Sequence, residues 1–442
     1  MRIRVTPVSR LEGRVEVPGD KSISHRAALF GALARGRTEI SGFLEGEDCL
    51  NTLKVIRLLG AEVTRKGPGH YLVDGAGLCG LSEPEDILDC GNSGTTARLL
   101  LGVLAGQPFW SVLTGDESLR GRPMGRVAEP LRLMGATVVG RDGGKRLPLA
   151  VGGARPLKAI TYRSPVASAQ VKTALLLAGL WADGPVTLEE PALSRDHTER
   201  MLRGFGARLE IEQRRVTITP GVELRGQPVA VPGDISSAAF FLVAGSIVRE
   251  ARLTIGNVGV NPTRAGVLDV LGAMGARLSL TPLGTAHGEG GPAEPAADLT
   301  LAAAALRAGE VGGELIPRLI DEVPVLAVAA SAAAGVTRIR DAAELRVKES
   351  DRLHAIATEL GRMGADIVEL PDGLEIRGGK RLRGATVQSA GDHRVAMALI
   401  VAGLVADAPT VVEDTGCIAT SFPGFVQALN GLAGRPCAVP LP

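Results

Sequence analysis

The sequence predicts an α/β protein in two halves, each built from repeated units whose apolar helices lie inside and whose sheets lie outside. Three observations carry this. The segment VPGDKSISHRAALFGALARGRTEI from Val17 returns as VPGDISSAAFFLVAGSIVREARLTI from Val231, and four further segments share its grammar of polar turn, Ala-rich apolar stretch and β-prone strand. The apolar stretches are hydrophobic nearly all round, as helices enclosed by other structure must be. A second helix recurs in most units, closed by a glycine stop that leads into a strand.

In chain order, the first unit pairs the helix after Asp20 with the stop LLGAEV at Leu58. The second pairs CGNSGTTARLLLGVLAG from Cys90 with LMGATV at Leu133, and the third pairs SPVASAQVKTALLLAGL from Ser164 with GFGARL at Gly204. The fourth runs from the second PGD turn to AMGARL at Ala273, and the fifth from IDEVPVLAVAASAAAG at Ile320 to RMGADI at Arg362. The sixth, AGDHRVAMALIVAGL from Ala390, is expected to end early, as terminal repeats do. Markers at Gly19, Gly91, Ala167, Gly233, Asp321 and Gly391 are separated by 72, 76, 66, 88 and 70 residues, so six units fill the chain. Each reads strand, helix, strand, helix, then one or two strands. The matched PGD turns are the expected crossing points between the halves. The Gly/Pro/Ala-rich stretch GTAHGEGGPAEPAADLT from Gly284 reads as a surface excursion.

Composition narrows the function. With 49 Lys plus Arg against 48 Asp plus Glu, there is no global field for nucleic acid or an anionic membrane, and 3% aromatics leave little base-stacking surface. Any anion site has to be a local cluster. The five cysteines, 49, 79, 90, 417 and 437, are scattered with no CxxC or Cys/His spacing, which predicts a reducing compartment and neither a disulfide framework nor a metal site. The N-terminal segment lacks an apolar signal core, and the longest apolar runs, Ala238 to Val248 and Met397 to Ala406, are about half a membrane span. The cytoplasm is the expected location.

The polar residues of the units concentrate at the starts of the apolar helices, where free N–H groups and the positive dipole end favour anions. Ser22, Ser24, Asn92, Ser93, Thr95, Ser168 and Gln170 occupy such places. Singly they are ordinary N-caps. They are accompanied, however, by Lys21, Arg26, Arg98, Arg120, Arg122, Arg195, Lys348, Arg352 and Arg394. In a nearly neutral chain this predicts one focused pocket for a multiply charged small molecule. Only eight residues are Lys, so Lys21 and Lys348 stand out as compact, titratable charges. Asp321 and Glu349 lie within this cationic belt, either as salt-bridged scaffold or as proton carriers.

The segments PGDKSISHRA, GNSGTTARL, GRPM, SPVASAQVKTALL, SRDHTERM, RVKESDRL and GDHRVAMAL, in that order between Pro18 and Pro423, resemble the 3-phosphoshikimate 1-carboxyvinyltransferase (5-enolpyruvylshikimate-3-phosphate synthase) family. The resemblance implies two inside-out α/β barrel domains, each of three βαβαββ pseudo-repeats. One would comprise residues 1–19 and 232–442, and the other residues 20–231, with the active site in the cleft between them. It also implies transfer of the enolpyruvyl group of phosphoenolpyruvate (PEP) to the 5-hydroxyl of shikimate 3-phosphate, with release of phosphate. No metal and no organic cofactor is implied, and a monomer is expected.

Carried over by motif, Lys21, Ser22, Arg26, Ser168, Ala169, Gln170, Arg195, Asp321 and Lys348 would bind shikimate 3-phosphate. Lys21, Asn92, Gly94, Arg122, Gln170, Arg352 and Arg394 would bind PEP. Lys21, Asp321 and Glu349 would be catalytic, Asp321 as proton acceptor and Glu349 as the acid that protonates the PEP methylene. Protonation is what makes the enol ether carbon electrophilic, so an acid has to sit over it while cations hold the carboxylate and phosphate.

Two positions depart from one branch of the family. Ala169 stands where that branch has a second Ser, and Thr420, before SerPhePro at 421 to 423, stands where it has a Lys. The SAQVK, RDHTE and TSFP pattern resembles the other main branch. There, members insensitive to glyphosate carry Ala at the position of Gly94. The related UDP-N-acetylglucosamine 1-carboxyvinyltransferases expect a Lys-Asn pair and a reactive loop Cys, but this chain has Lys21-Ser22 and a GDESLRGRPM loop without Cys. RNA 3′-terminal phosphate cyclases use related units, but neutral charge and scarce aromatics disfavour them.

Overall fold

The computed structural model describes residues 1–285 and 294–441. Its contacts divide the chain into two compact units. One comprises Met1–Pro18, Pro232–Gly284 and Pro295–Pro442, and the other is essentially Gly19–Val231. Each unit has its own hydrophobic core and three four-stranded sheets.

The central repeat of the 19–231 unit shows how a unit is made. Strand Leu88–Asp89 leads through helix Gly94–Ala105 to strand Trp110–Thr114, then through helix Gly125–Leu133 to the hairpin of Thr137–Gly140 and Leu149–Gly152. The first two strands pair in parallel, Leu88 opposite Leu113, because a helix carries the chain back between them. The hairpin inserts antiparallel, Trp110 opposite Gly152 and Thr137 also opposite Gly152, so the spatial order is first, second, fourth, third. All six sheets repeat this order.

The first helix of each repeat lines the interior of its unit. We label these α1 (Lys21–Leu33), α2 (Gly94–Ala105), α3 (Ala169–Gly179), α4 (Ile235–Ile247), α5 (Val323–Ala332) and α6 (His393–Gly403). Every residue of α4 except Ile247 is buried, and so is every residue of α6. Such helices need a shell of sheet around them, and the alternating burial of strands such as Arg2–Val5 supplies one apolar inner face and one wet outer face. Within the 19–231 unit α2 and α3 approach so closely that a Cβ on Gly102 would lie 2.1 Å from the Ala174 carbonyl oxygen. In the other unit Phe240, Phe241, Phe422 and Phe425 pack edge-on or tilted with centroids 5.5–5.9 Å apart.

The expected glycine stops are present. Gly60, Gly135, Gly206, Gly275 and Gly364 have φ of +95°, +99°, +94°, +86° and +84°, a region in which a side chain is strained, and each ends the second helix of its repeat. The sixth repeat supplies three of its four strands and so ends one strand early. Its sheet is completed by Arg2–Val5, which pairs antiparallel with both Thr410–Glu413 and Ala438–Leu441, so the chain start satisfies a ladder that would otherwise be an open edge. Permutation recurs elsewhere. Arg10–Glu16 pairs in parallel with Glu250–Gly259, and Val229–Ala230 pairs in parallel with Ile40 and Ser41. The stretch expected to be a surface excursion is flanked by strands Arg277–Thr285 and Pro295–Ala302, so its ends are sheet. Residues 286–293 of it lie outside the described residues. Among the described residues no helix is long and apolar enough to cross a membrane.

Candidate active site

In the 19–231 unit the starts of α1, α2 and α3 carry the predicted anion-binding residues. Asp20 caps α1 by accepting from Ile23 N at 2.9 Å, which fixes the first turn that presents Lys21 and Ser22. Lys21 Nζ lies 2.5 Å from Asp48 Oδ2 at the start of the next helix. Arg26, one turn further into α1, is buried. Its Nε donates to Thr198 Oγ1 (2.7 Å), Nη1 to the Ser22 carbonyl (2.9 Å) and Nη2 to Thr173 Oγ1 (2.7 Å). All three acceptors are neutral, and burial lowers its pKa to about 10, against the pull of Glu199 and Asp20. A guanidinium in that setting is drawn toward an incoming anion.

At α2, Ser93 is the cap, accepting from Thr96 N at 3.1 Å. Asn92 lies just outside and is held at both ends: its Oδ1 accepts from Arg122 Nη2 (2.6 Å) and its Nδ2 donates to Asp116 Oδ2 (2.6 Å). Arg122 also donates to Ser118 Oγ at 3.0 Å. At α3, Ser168 accepts weakly from Val171 N at 3.4 Å. Gln170 joins the second and third starts, with Oε1 accepting from Arg98 Nη1 (2.8 Å) and Nε2 donating to Thr95 Oγ1 (2.9 Å). Gly94 opens α2, and a Cβ placed there would lie 2.8 Å from Arg98 Nη1 and 3.5 Å from Arg122 Nη1. Ala169 is the first residue of α3, and Arg195 stands in the loop between strand Val186–Glu189 and helix His197–Gly204. Ser24 is buried with its Oγ accepting from Leu44 N at 3.0 Å, so it serves the fold rather than an anion.

The second constellation belongs to the other unit and centres on Arg352, 1% exposed at the start of helix Arg352–Arg362. Its Nε donates to Asp392 Oδ2 (2.7 Å), Nη1 to Asp321 Oδ1 (3.0 Å) and Nη2 to Glu349 Oε2 (2.6 Å). Burial opposes its charge, but the three carboxylates more than reverse this and hold it well above the ordinary arginine value. Asp321 Oδ1 also faces Lys348 Nζ at 4.0 Å and Arg394 Nε at 3.9 Å. Desolvation brings the Lys348 ammonium below its usual value, partly offset by Asp321 and Glu344. Arg394, in the first turn of α6, is also 3.8 Å from Glu322 Oε1. Glu322 in turn takes a bidentate pair from Arg264 Nη1, 3.1 Å to each oxygen. Asp321 and Glu349 are thus each ion-paired, and both to the same guanidinium.

The predicted residues thus divide between the units: Lys21, Ser22, Arg26, Asn92, Gly94, Arg122, Ser168, Ala169, Gln170 and Arg195 in one, Asp321, Lys348, Glu349, Arg352 and Arg394 in the other. Three aspartates among their partners are not candidates from the sequence. Asp48 and Asp116 meet Lys21 and Asn92 with a helix and a strand between them, so the pairing has no local signal, although Asp116 also caps its own helix by accepting from Leu119 N at 2.7 Å. Asp392 did carry one: it precedes α6 as Asp20 precedes α1, at the same place in the repeat, and caps it by accepting from Arg394 N at 2.8 Å.

Residues 5–429 match the family described as EPSP synthase (3-phosphoshikimate 1-carboxyvinyltransferase). A 3-phosphoshikimate 1-carboxyvinyltransferase of Desulforudis audaxviator is 55% identical over 432 residues, covering 98% of this chain and 99% of the relative. One from Geobacter sulfurreducens is 55% identical over 429 residues, covering 97% and 98%. Two solved structures of EPSP synthase from Acinetobacter baumannii superpose with TM-scores of 0.85 and 0.87 at 42% and 40% identity. They cover 98% and 100% of both chains, respectively.

Proposed function

The chain belongs to the EPSP synthase (3-phosphoshikimate 1-carboxyvinyltransferase) family, and from that premise we propose how its residues divide the work of moving the enolpyruvyl group of PEP to shikimate 3-phosphate. The two constellations act on one pair of substrates. Lys21, Ser22, Arg26, Ser168, Ala169, Gln170 and Arg195 hold shikimate 3-phosphate, joined by Asp321 and Lys348. Lys21, Asn92, Gly94, Arg122, Gln170, Arg352 and Arg394 hold PEP. The protein acts as a monomer in the cytoplasm.

The reaction is an addition followed by an elimination. Glu349 gives a proton to the PEP methylene, turning it into a methyl group and leaving the adjacent carbon electron-poor. The 5-hydroxyl oxygen attacks that carbon as Asp321 takes its proton, forming a tetrahedral intermediate. The carbon–oxygen bond to the phosphate then breaks, the departing phosphate takes the proton held by Asp321, and return of a methyl proton to Glu349 restores the double bond. Cations around the carboxylate and phosphate stabilise the charge that shifts in both steps.

The observation that carries this reading is the sharing of Arg352 by Glu349 and Asp321, at 2.6 and 3.0 Å. Glu349 is ion-paired to Arg352. An incoming PEP anion competes for the same guanidinium and so frees Glu349 to meet the PEP methylene. Substrate binding thereby prepares the acid. Phosphate release by purified protein tests the reading, with PEP plus shikimate 3-phosphate run beside PEP plus UDP-N-acetylglucosamine and PEP alone. Release only with shikimate 3-phosphate is expected, and silence in all three would overturn it.

A further inference from the structure

Lys172 is one of the eight lysines, yet it takes no part in the chemistry above. It sits on α3 two residues after Gln170 and is 1% exposed. Its Nζ lies 2.8 Å from Glu190 Oε2 and 2.8 Å from Glu199 Oε1, and it donates to the Ser194 carbonyl at 3.4 Å. Glu190, Ser194 and Glu199 are themselves 6%, 4% and 2% exposed. These three residues bracket Arg195. Glu190 immediately follows the strand before the loop, Ser194 immediately precedes Arg195, and Glu199 lies in the first turn of the helix after it. Glu190 Oε2 also accepts from Ser194 N at 3.5 Å, so both backbone groups of Ser194 are engaged by the cluster.

The arrangement is costly unless it is used. Two carboxylates are buried around one ammonium, and among the described residues Glu190 Oε1 and Glu199 Oε2 meet no donor. Burial raises the proton affinity of Glu199, with Lys172 pulling the other way. A well-packed apolar trio would stabilise the unit at least as well. What the charged trio adds is direction, because an ammonium with three fixed acceptors locks the loop to the start of α3. The next residue of the helix adds a second tie: Thr173 Oγ1 contacts Thr198 Oγ1 (2.6 Å) and accepts from Arg26 Nη2 (2.7 Å).

We propose that Lys172, with Glu190 and Glu199, is a positioning residue that fixes the Arg195 loop against the starts of α1 and α3, setting the affinity for shikimate 3-phosphate. This rests on the reading that Arg195 meets the phosphate of that substrate. Lys172 touches neither substrate and acts only through the loop. It also offsets part of the negative charge of two acids beside a site that has to accept a phosphate dianion.

The test is steady-state kinetics of Lys172→Met, Arg195→Gln and the double variant, with both substrates varied. Lys172→Met should raise the KM for shikimate 3-phosphate roughly tenfold, the scale of one lost charge-assisted hydrogen bond, while the KM for PEP stays within about threefold. The double variant should be little worse than Arg195→Gln, since both act through one contact. Equal changes in both KM values, or fully additive losses, would overturn the proposal. If Arg195→Gln weakens shikimate 3-phosphate and Lys172→Met does not, the positioning role falls and the reading of Arg195 stands. If Arg195→Gln changes neither KM, that reading falls and the proposal with it. Should Lys172→Met fail to fold, Glu190→Gln keeps an oxygen acceptor and is expected to show the same selective rise at smaller size, and no selective rise would count against the proposal.

Discussion

Arg352 Nε donates to Asp392 Oδ2 at 2.7 Å, and the same aspartate, through Oδ1, caps the helix that carries Arg394. One buried carboxylate therefore orients two of the cations assigned to PEP. Asp392→Ala removes the ion pair and the cap together. It is expected to cost about 3 kcal/mol of stability, the scale of a buried pair broken on one side, read as a lowered urea midpoint. Asp392→Asn keeps an oxygen for the cap and should lose less. Equal midpoints for the two variants would show that the cap oxygen contributes nothing and that the charge on Asp392 carries the whole effect.

Glu349→Gln retains an oxygen for Arg352 Nη2 but has no proton to give in the acid step. Turnover is expected to fall roughly 10²-fold or more, the usual scale for a general acid, with both KM values little changed. Unaltered kcat would remove Glu349 from the mechanism.

Lys21 is assigned to both substrates in the proposed division of work, and its Nζ lies 2.5 Å from Asp48 Oδ2. Lys21→Ala should raise both KM values, and a normal value for both would end that assignment. Adding Asp48→Asn should recover part of the loss, because the single variant leaves an acid, 4% exposed, next to an anion site.

At Gly94 the prediction is substrate-selective. A methyl there would press on Arg98 Nη1, at 2.8 Å, and approach Arg122 Nη1 at 3.5 Å. Arg98 can swing, but only by disturbing its bonds to Gln170 Oε1 and the Pro123 carbonyl. Gly94→Ala is expected to raise the KM for PEP several-fold, on the scale of about 1 kcal/mol, and to leave that for shikimate 3-phosphate nearly unchanged. The opposite selectivity would place PEP elsewhere.

What could be read from the residues alone follows from the range of the interactions. The glycine stops at Gly60 and its four counterparts were legible because a helix end is local and the Gly-Ala pair repeats. The burial of α4 and α6 was legible because an all-apolar helix leaves no other choice. The completion of the sixth sheet by Arg2–Val5 was not, since strand pairing across some 400 residues leaves no local mark. Site residues showed the same divide. Helix starts announced Lys21, Asn92 and Ser168, but Arg352 meets Asp321 and Asp392 at separations of 31 and 40 residues, and no spacing rule reports such a distance.

His25 gives a pH-dependent prediction for folding rather than catalysis. The ring is wholly buried in α1, with Nδ1 2.7 Å from Thr52 Oγ1, which in turn contacts Thr96 Oγ1 at 2.6 Å. Burial, reinforced by Lys21 and Arg26, holds its pKa well below the ordinary 6.5. The unfolded chain therefore takes up a proton near pH 6.5 that the folded chain refuses. His25 supports the fold fully above that pH, and its support is lost as pH falls from 6.5 toward the lower folded value, by up to about 1.4 kcal/mol per pH unit. Urea midpoints of wild type and His25→Gln at pH 7.5, 6.5, 5.5 and 5.0 read this directly. The wild-type advantage should be greatest at pH 7.5 and shrink below 6.5, because only the wild type has a proton to exclude. Parallel curves would mean that the ring is protonated in the folded protein, and then the neutral Thr52 and Thr96 hydroxyls would have to be solvating a buried imidazolium between two further cations.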